Sequence, residues 1–248
     1  MSGHSKWSTI KRQKGVNDAK RGQAFTKMGM AIAIAVREGG GGDPTSNFKL
    51  RLMMDQARAI NMPKENVQRA IDRGLGKGGA AAIETVVYEG YGPNKVALIV
   101  VAATDNKNRT TPEIRSTIEK SGGTFATPGA VDWAFAEMGM ITVEKNGKSL
   151  DELFELAADA GAEDIEDAGD VVEVYTKPAD VEKVKHALAE KGLTVVSFEI
   201  FKKPTTLVEI KDAETAKKVL ALIEKIEDLD DVQKVYSNFD IADNLLTL

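Results

Sequence analysis

Apolar residues recur every three to four positions through residues 19–74, the spacing that places side chains on one face of a helix. The first apolar stripe comprises Phe25, Met28, Ile32 and Val36. Glycines at 39–42 end this run, and Asp43-Pro44 is typical of the cap and first turn of a second helix. A third helix opens near Pro63 and ends at Gly74. The pattern therefore predicts three consecutive helices.

Beyond residue 80 the pattern changes to β-branched and aromatic runs, which favour strands. Two such runs, Glu84–Tyr91 and Lys95–Asp105, are separated by the turn residues Gly92-Pro93-Asn94. A helix follows from about Thr111 to Ser121, with Pro112 in its first turn. This part of the chain is predicted to begin as a β-hairpin that leads into a helix.

The next stretch alternates in the order strand, helix, strand, strand, helix, strand. The six segments are Met140–Lys145, Leu150–Ala160, Ala162–Glu166, Val171–Thr176, Ala179–Lys191 and Thr194–Phe201. That order indicates the split β-α-β unit of a ferredoxin-like sandwich. Strand Leu207–Ile210, helix Ala213–Glu227 and strand Val232–Tyr236 remain, and they would complete the half-built unit at residues 84–127.

We therefore predict an α+β multidomain protein: a helical N-terminal domain followed by two ferredoxin-like α/β sandwiches, the last inserted into the middle one. The predicted boundaries are 1–79 for the basic helical domain, 80–131 plus 204–248 for the discontinuous middle domain, and 132–203 for the inserted domain. Gly74–Gly79 is interpreted as a linker, because a helix precedes it where a dinucleotide-binding G-x-G-x-x-G loop would follow a strand.

Formal charge is distributed unevenly between these parts. The whole chain carries −5, but residues 1–79 contain 15 Lys and Arg against 6 Asp and Glu, a charge of +9. Residues 80–248 contain 18 against 32, a charge of −14. Such asymmetry suggests domains with different partners, and a basic domain suggests nucleic acid.

The residue inventory argues against an enzyme. The 248 residues include no cysteine and two histidines, and no H-E-x-x-H or G-x-S-x-G motif occurs. The acidic cluster at residues 163–170 lacks the spacing of a calcium loop. We expect no catalytic residue, metal, cofactor or small-molecule substrate. The lack of cysteine, of a signal-peptide pattern and of a membrane-length apolar run predicts a cytosolic protein without a membrane partner.

Basic residues concentrate at the start of the chain and form the candidate nucleic-acid-binding site. They are Lys6, Lys11, Arg12, Lys14, Lys20, Arg21 and Lys27. If about five of them contact phosphates, counterion release would give a log–log salt slope of roughly −4 to −5. Lys20 and Lys27 are seven positions apart and so share a helix face. The alternative is an ordinary solvated basic face that serves solubility.

A second candidate is the polar run from Thr104 to Thr110, which leaves a predicted strand and enters a helix. Backbone N–H groups at that helix start could hold a phosphate, with Arg109 adding charge. A plain N-cap by Thr110 or Thr111 explains the same residues equally well.

Many short motifs are similar to those of the YebC/PmpR family. They are Gly3-His4-Ser5-Lys6-Trp7, Asp18-Ala19-Lys20-Arg21-Gly22, Gly41-Gly42-Asp43-Pro44, Asn61-Met62-Pro63, Arg69-Ala70-Ile71, Tyr88-Glu89-Gly90-Tyr91-Gly92-Pro93, Thr104-Asp105-Asn106, Asn108-Arg109-Thr110 and Gly161-Ala162-Glu163-Asp164. The resemblance spans nearly the whole chain and implies three domains, one helical and two α/β. Lys6, Lys20, Arg21 and Lys27 match the family's basic pattern, whereas Gln13 and Gly15 depart from it.

The resemblance implies a regulator of gene expression, for which two accounts exist. Bacterial members are described as DNA-binding transcriptional regulators, whereas mitochondrial relatives are translational activators of cytochrome oxidase. Other members are placed at the ribosome, where they ease synthesis of proline-rich stretches. We predict DNA binding through the basic domain, with a ribosome- or rRNA-associated translation factor as the alternative. An acidic protein-interaction scaffold is the third hypothesis.

Overall fold

The computed structural model describes residues 18–79 and 81–242, with side chains from residue 21 onward apart from residue 78. These residues form two compact units: residues 18–132 with 211–237, and residues 133–210 with 238–242. The described residues form helices and several β-sheets, so the α+β part of the predicted fold class is confirmed. The division into three domains stays a prediction.

The elements are as follows in chain order. Residues 18–79 form α1 (Asp18–Glu38), α2 (Phe48–Ala59) and α3 (Lys64–Gly74). Residues 81–132 form β1 (Glu84–Tyr91), β2 (Ala97–Thr104), α4 (Lys107–Lys120) and β3 (Thr124–Ala126). Residues 133–210 form β4 (Phe135–Glu144), α5 (Leu150–Ala160), β5 (Asp164–Ala168), β6 (Val171–Thr176), α6 (Val181–Glu190), β7 (Val195–Pro204) and β8 (Val208–Ile210). Residues 211–242 form α7 (Ala213–Glu227), β9 (Val232–Ser237) and β10 (Phe239–Ile241).

The three predicted N-terminal helices are confirmed, and one apolar core joins them. Its buried members are Ile32, Ala35, Val36, Leu50, Ala57, Met62, Ala70 and Ile71. They come from all three helices and from the turn before α3, and α1 packs its apolar stripe against both α2 and α3. Burial of these stripes, rather than helix propensity alone, stabilises the three-helix arrangement.

Asn47, rather than Asp43, caps α2. Its Oδ1 accepts a backbone N–H from the first turn of α2 at 2.9 Å, while its Nδ2 donates to the carbonyl oxygens of Ala35 (2.8 Å) and Gly41 (2.7 Å). Asp43 instead closes a local turn, its Oδ1 accepting from the N–H and hydroxyl of Thr45. The sequence prediction placed the cap at Asp43 and was wrong. Asp and Asn are both good N-cap residues, so the sequence does not distinguish Asp43 from Asn47, and the buried Asn47 forms the cap.

The first unit contains an antiparallel sheet in the strand order β3-β1-β2-β9. The predicted hairpin is confirmed, with β1 paired to β2 from Glu84 opposite Thr104 to Tyr91 opposite Ala97. Helix α4 connects β2 to β3, and these two strands flank β1, so the three form a split β-α-β unit. Strand β9, which follows α7, extends the sheet beside β2.

Strand β8 lies outside this sheet, contrary to the sequence prediction for Leu207–Ile210. It pairs in parallel with β10 in a separate two-stranded sheet, Val208 opposite Phe239 and Ile210 opposite Ile241. In a split β-α-β unit that ends in β9, the strand leading into α7 would lie on the other side of β2, between β2 and β3. Strand β1 occupies that position. The prediction was wrong because a short strand gives no local signal of which neighbour it will pair with.

The second unit contains the sheet β5-β6-β4-β7, with every neighbouring pair antiparallel. Its elements follow the order β4, α5, β5, β6, α6, β7, the predicted alternation of strand, helix, strand, strand, helix, strand. Helix α5 opens with a capping box between Ser149 and Glu152 and is followed by Gly161 in the left-handed region at φ 96°. The core lies between the two helices and the sheet and includes Ile141, Val174, Leu153 and Leu188.

Candidate nucleic-acid interface

The structure describes some of the predicted basic residues and not others. Lys6, Lys11, Arg12 and Lys14 lie outside the described residues, and Lys20 is described by its backbone alone, in the first turn of α1. The next residue, Arg21, is exposed, and its guanidinium carbon lies 5.9 Å from the centre of the Phe25 ring. Of the predicted N-terminal cluster, Arg21 is therefore the cation seen facing solvent.

Lys27 is turned toward the protein. Its Nζ donates hydrogen bonds to the carbonyl oxygens of Glu227 and Val232, the second at 2.7 Å. One helical turn earlier, the Gln23 side chain donates to the carbonyl oxygen of Asp228. These carbonyls lie at the C-terminal end of α7 and the start of β9, where the helix dipole is negative. We call this contact the Lys27 clamp, and it joins α1 to the far end of the chain.

Arg109 also faces carboxylates. Its guanidinium donates to both oxygens of Asp231, at 2.9 and 2.7 Å, and to Asp105 at 3.2 Å. The Asp231 side chain is 4% exposed and accepts further hydrogen bonds from the hydroxyls of Thr104 and Thr110. Arg109 itself is 51% exposed. The polar run from Thr104 to Thr110 thus forms a network centred on a buried carboxylate.

The hydrogen bonds of this network determine the protonation states of Asp231 and Arg109. Burial by itself raises the pKa of Asp231, but the hydrogen bonds from Thr110 and Arg109 outweigh it and leave that pKa below its ordinary value. The hydrogen bond to Asp231 and the charge of that carboxylate raise the pKa of Arg109. Both groups are therefore ionised at neutral pH, and the positive charge of Arg109 offsets the negative charge of Asp231.

Helix α4 begins earlier than the sequence predicted. Asn106 is its N-cap, with the side chain accepting from the N–H of Arg109 at 3.3 Å, so the helix starts at Lys107. Caps at Thr110 or Thr111 were predicted, and Thr110 instead directs its hydroxyl into the Asp231 network. The Thr110 hydroxyl donates to Asp231, which is 121 positions away in the chain, instead of capping the helix.

Most cations on the three N-terminal helices have partners. Lys49 pairs with Glu38, Arg58 with Asp55, Arg73 with Asp105 and Lys77 with Asp72, while Arg37 donates to the carbonyl of Ile83. Within the described part of α1 to α3, the cations that form neither an ion pair with a described acid nor a hydrogen bond to a backbone carbonyl are Arg21, Arg51, Lys64 and Arg69. All four are exposed. These four carry positive charge to solvent.

A cleft of about 530 Å³ opens between α1 and α3 beside two of these cations. It is lined by Gly22, Phe25, Thr26, Gly29, Met30, Met62, Asn66, Arg69, Ala70 and Arg73. The described lining residues include two arginines and no acid, and Arg21 adjoins Gly22. The buried lining residues Met30, Met62 and Ala70 form an apolar floor, and the exposed Arg69 makes the rim basic. Sequence reasoning missed this cleft, although two glycines inside one predicted helix were a signal.

The described residues offer neither a metal site nor a membrane-spanning helix. Across 18–79 and 81–242, no group of three or more His, Asp and Glu is arranged to hold a metal ion. None of the helices in these ranges is long and apolar enough to cross a membrane.

The chain is similar to proteins of one family along its whole length. Residues 5–77 match the model of the TACO1/YebC protein N-terminal domain, and residues 83–239 match that of the TACO1/YebC second and third domain. Proteins named "Probable transcriptional regulatory protein" from Roseiflexus castenholzii and Chloroflexus aurantiacus are 53% and 51% identical, over 99% of this chain and 97% and 98% of theirs.

One solved structure is also similar. The crystal structure of a conserved hypothetical protein from Aquifex aeolicus is 42% identical and matches with a TM-score of 0.83. The match covers 91% of this chain and 93% of that one.

Proposed function

The chain belongs to the TACO1/YebC family, and from that premise we propose that it is a regulator of gene expression that binds DNA through its basic N-terminal helices. The observation that carries the proposal is the set of exposed cations without an acidic partner among the described residues, Arg21, Arg51, Lys64 and Arg69. Duplex DNA attracts such charges through its phosphates. The names of the relatives support transcription as the process, and we propose the cytosol as the compartment.

We narrow the proposed contacts by what holds each described cation. Arg21 is exposed near the start of α1, directly after Lys20, whereas Lys27 and Arg109 are held by protein acceptors. We therefore propose Lys20 and Arg21 as phosphate contacts, together with Lys6, Lys11, Arg12 and Lys14. Lys27 and Arg109 act by positioning α1 and α4.

The test is a duplex-DNA titration of the full chain between about 50 and 200 mM salt, where phosphate contacts weaken sharply. Lys20→Glu combined with Arg21→Glu is expected to abolish binding and leave the fold intact by circular dichroism. Lys183→Glu with Lys217→Glu is the matched control. It changes the net charge by the same amount, at exposed lysines that lie outside the N-terminal residues 1–79. Unchanged binding by the folded Lys20/Arg21 variant would contradict the proposed site.

A second candidate function is a ribosome- or rRNA-associated translation factor. The cleft between α1 and α3 favours it, since an apolar floor with a basic rim suits an unstacked base, which folded RNA offers and duplex DNA does not. Co-sedimentation with ribosomes in the same salt series separates the two. Ribosome binding that survives about 200 mM salt while DNA binding is lost would identify the translation factor. If neither binds, the acidic scaffold becomes the working hypothesis.

A further inference from the structure

Two glycines inside α1 have no explanation in the fold. Gly22 and Gly29 lie within the helix and are absent from the residues with positive φ. Among the described residues, a Cβ at Gly22 would meet no atom within 4 Å, and one at Gly29 would meet Ala70 and Met62 at 3.9 Å, ordinary van der Waals distance. Alanine would fit at both. Because glycine inside a helix costs about 0.5–1 kcal/mol relative to alanine, the helix gives up stability at two places.

Both glycines face the same empty space. They are seven positions apart, two turns of α1, and both line the cleft between α1 and α3. By contrast, a Cβ at Gly74, on α3, would lie 2.7 Å from the carbonyl oxygen of Ala33 and 2.7 Å from the Cβ of Val36. The two helices are therefore in close contact near Gly74 and leave room near Gly22. Glycine commonly serves where a ligand must approach the backbone.

The chemistry of the lining identifies the kind of ligand. Phe25, Met30 and Met62 provide an apolar floor, and Phe25 adds an aromatic ring. Arg69 lines the cleft from α3, bonded to the Asn66 amide rather than to an acid, and Arg21 stands beside Gly22. The cleft volume of about 530 Å³ is in the range of small-ligand sites. A flat apolar group attached to a phosphate matches both halves of this lining.

We propose that the α1–α3 cleft binds an unpaired nucleotide of single-stranded RNA, with the base over the Gly22 and Gly29 backbone and the flanking phosphates near Arg21 and Arg69. The inference rests on the second candidate function, since it names the feature of RNA that the N-terminal helices would bind; duplex-DNA binding is tested separately. Charge complementarity favours this occupant: Arg69 and Arg73 are among the described residues of the lining, and no acid is. Base–aromatic stacking of this kind is tolerant of sequence.

The experiment fills the cleft in the full-length protein. Gly22→Leu places a side chain in the open space, and because leucine is a better helix former than glycine, the melting temperature is expected to stay or rise. The probe is a fluorescent single-stranded RNA of about ten nucleotides, with the same strand annealed to its complement as the duplex arm. Gly22→Leu is expected to weaken single-strand binding about tenfold and duplex binding less than about twofold.

One control accompanies it. Ala59→Leu adds leucine at an exposed position of α2 that does not line the cleft. It is expected to bind single-stranded RNA like the wild type, and a tenfold loss in this control would overturn the inference.

Wild-type affinity for single-stranded RNA in Gly22→Leu would overturn the cleft site. Equal weakening of single-strand and duplex binding by Gly22→Leu would also overturn the cleft site, as would a wild-type protein that binds neither form of RNA. None of these results touches the proposed function, which the duplex-DNA titration of the wild type and the Lys20/Arg21 variant decides by itself.

Discussion

Asp231 shows how one residue fixes the surroundings of several others. Its carboxylate is buried beside the end of α7 and accepts hydrogen bonds from Thr104, Thr110 and Arg109. A buried carboxylate is costly unless its oxygens are satisfied, and here both are. In turn it holds Arg109 through two hydrogen bonds, so the side chain that the sequence offered as a phosphate ligand is part of the fold.

Asp231→Asn is expected to lower the free energy of unfolding by about 2 kcal/mol at pH 7, because it removes charge-assisted hydrogen bonds from a buried site. The folded pKa of Asp231 is lowered, so its contribution is complete above the unfolded value of about 4 and is lost as pH falls through the folded value. Urea titrations of both proteins at pH 7 and about pH 3 give the comparison. A difference in unfolding free energy that stays constant between these pH values would contradict this account.

At the scale of elements, glycines set how closely helices and strands approach. Gly74 and Gly22 differ in the space around them. A Cβ at Gly74 would clash with α1, whereas a Cβ at Gly22 would meet no described atom within 4 Å. The Glu89 side chain on β1 acts differently, by accepting the backbone N–H groups of Gly129 and Val131, each at 2.7 Å. Glu89 belongs to the motif Tyr88-Glu89-Gly90-Tyr91-Gly92-Pro93, which therefore serves to hold the loop after β3.

Gly74→Ala and Gly22→Ala form a matched pair within the N-terminal helices. Gly74→Ala is expected to destabilise the protein by about 1–3 kcal/mol through overpacking against α1. Gly22→Ala is expected to stabilise it by about 0.5–1 kcal/mol, because alanine fits and loses less conformational entropy. Thermal and urea unfolding measure both. Shifts in the same direction would show that the space near Gly22 is not open in solution.

Glu89→Gln is expected to leave one of the two loop N–H groups without an acceptor and to cost about 1–2 kcal/mol. Amide hydrogen exchange at Gly129 and Val131 should become faster, while exchange in α1 stays unchanged. Glu84→Gln is the control on the same strand, since Glu84 pairs with Lys107 where both side chains are 55% exposed. Equal effects of the two substitutions would exclude the anchoring role.

At the scale of the molecule, the helical part and the first sheet are packed together. Met30 and Ala33 of α1 pack with Ile83 and Ala103. The Lys27 clamp joins α1 to the end of α7. Removing residues 1–79 would therefore expose apolar surface on the remaining sheet. We expect a fragment starting at residue 80 to be less stable than its length suggests.

Lys27→Met tests the clamp. We expect it to lower the free energy of unfolding by about 1–2 kcal/mol, because charged hydrogen bonds to carbonyl oxygens are lost while the apolar stem is kept. Lys49→Met, which breaks an exposed pair with Glu38, is expected to cost less. Nucleic-acid affinity should change little in either. A loss of binding in Lys27→Met as large as in the Lys20/Arg21 variant would restore Lys27 as a phosphate ligand.

The sequence by itself determined what depends on neighbours along the chain. Apolar spacing located α1 to α3, and turn residues located the hairpin of β1 and β2, because helical faces and tight turns are set by residues a few positions apart. The alternation of strands and helices in the second unit was readable for the same reason. The uneven distribution of charge was readable as well, since it needs composition alone.

The tertiary structure decided which of these residues meet. Lys27 and Val232 are 205 positions apart, and Arg109 and Asp231 are 122 apart, so no local pattern indicated that these cations are held by protein acceptors. The pairing of β8 with β10 and the cleft between α1 and α3 likewise arise from elements brought together by packing. A lysine that faces solvent and one that caps a distant helix have the same side chain, and the fold alone distinguishes them.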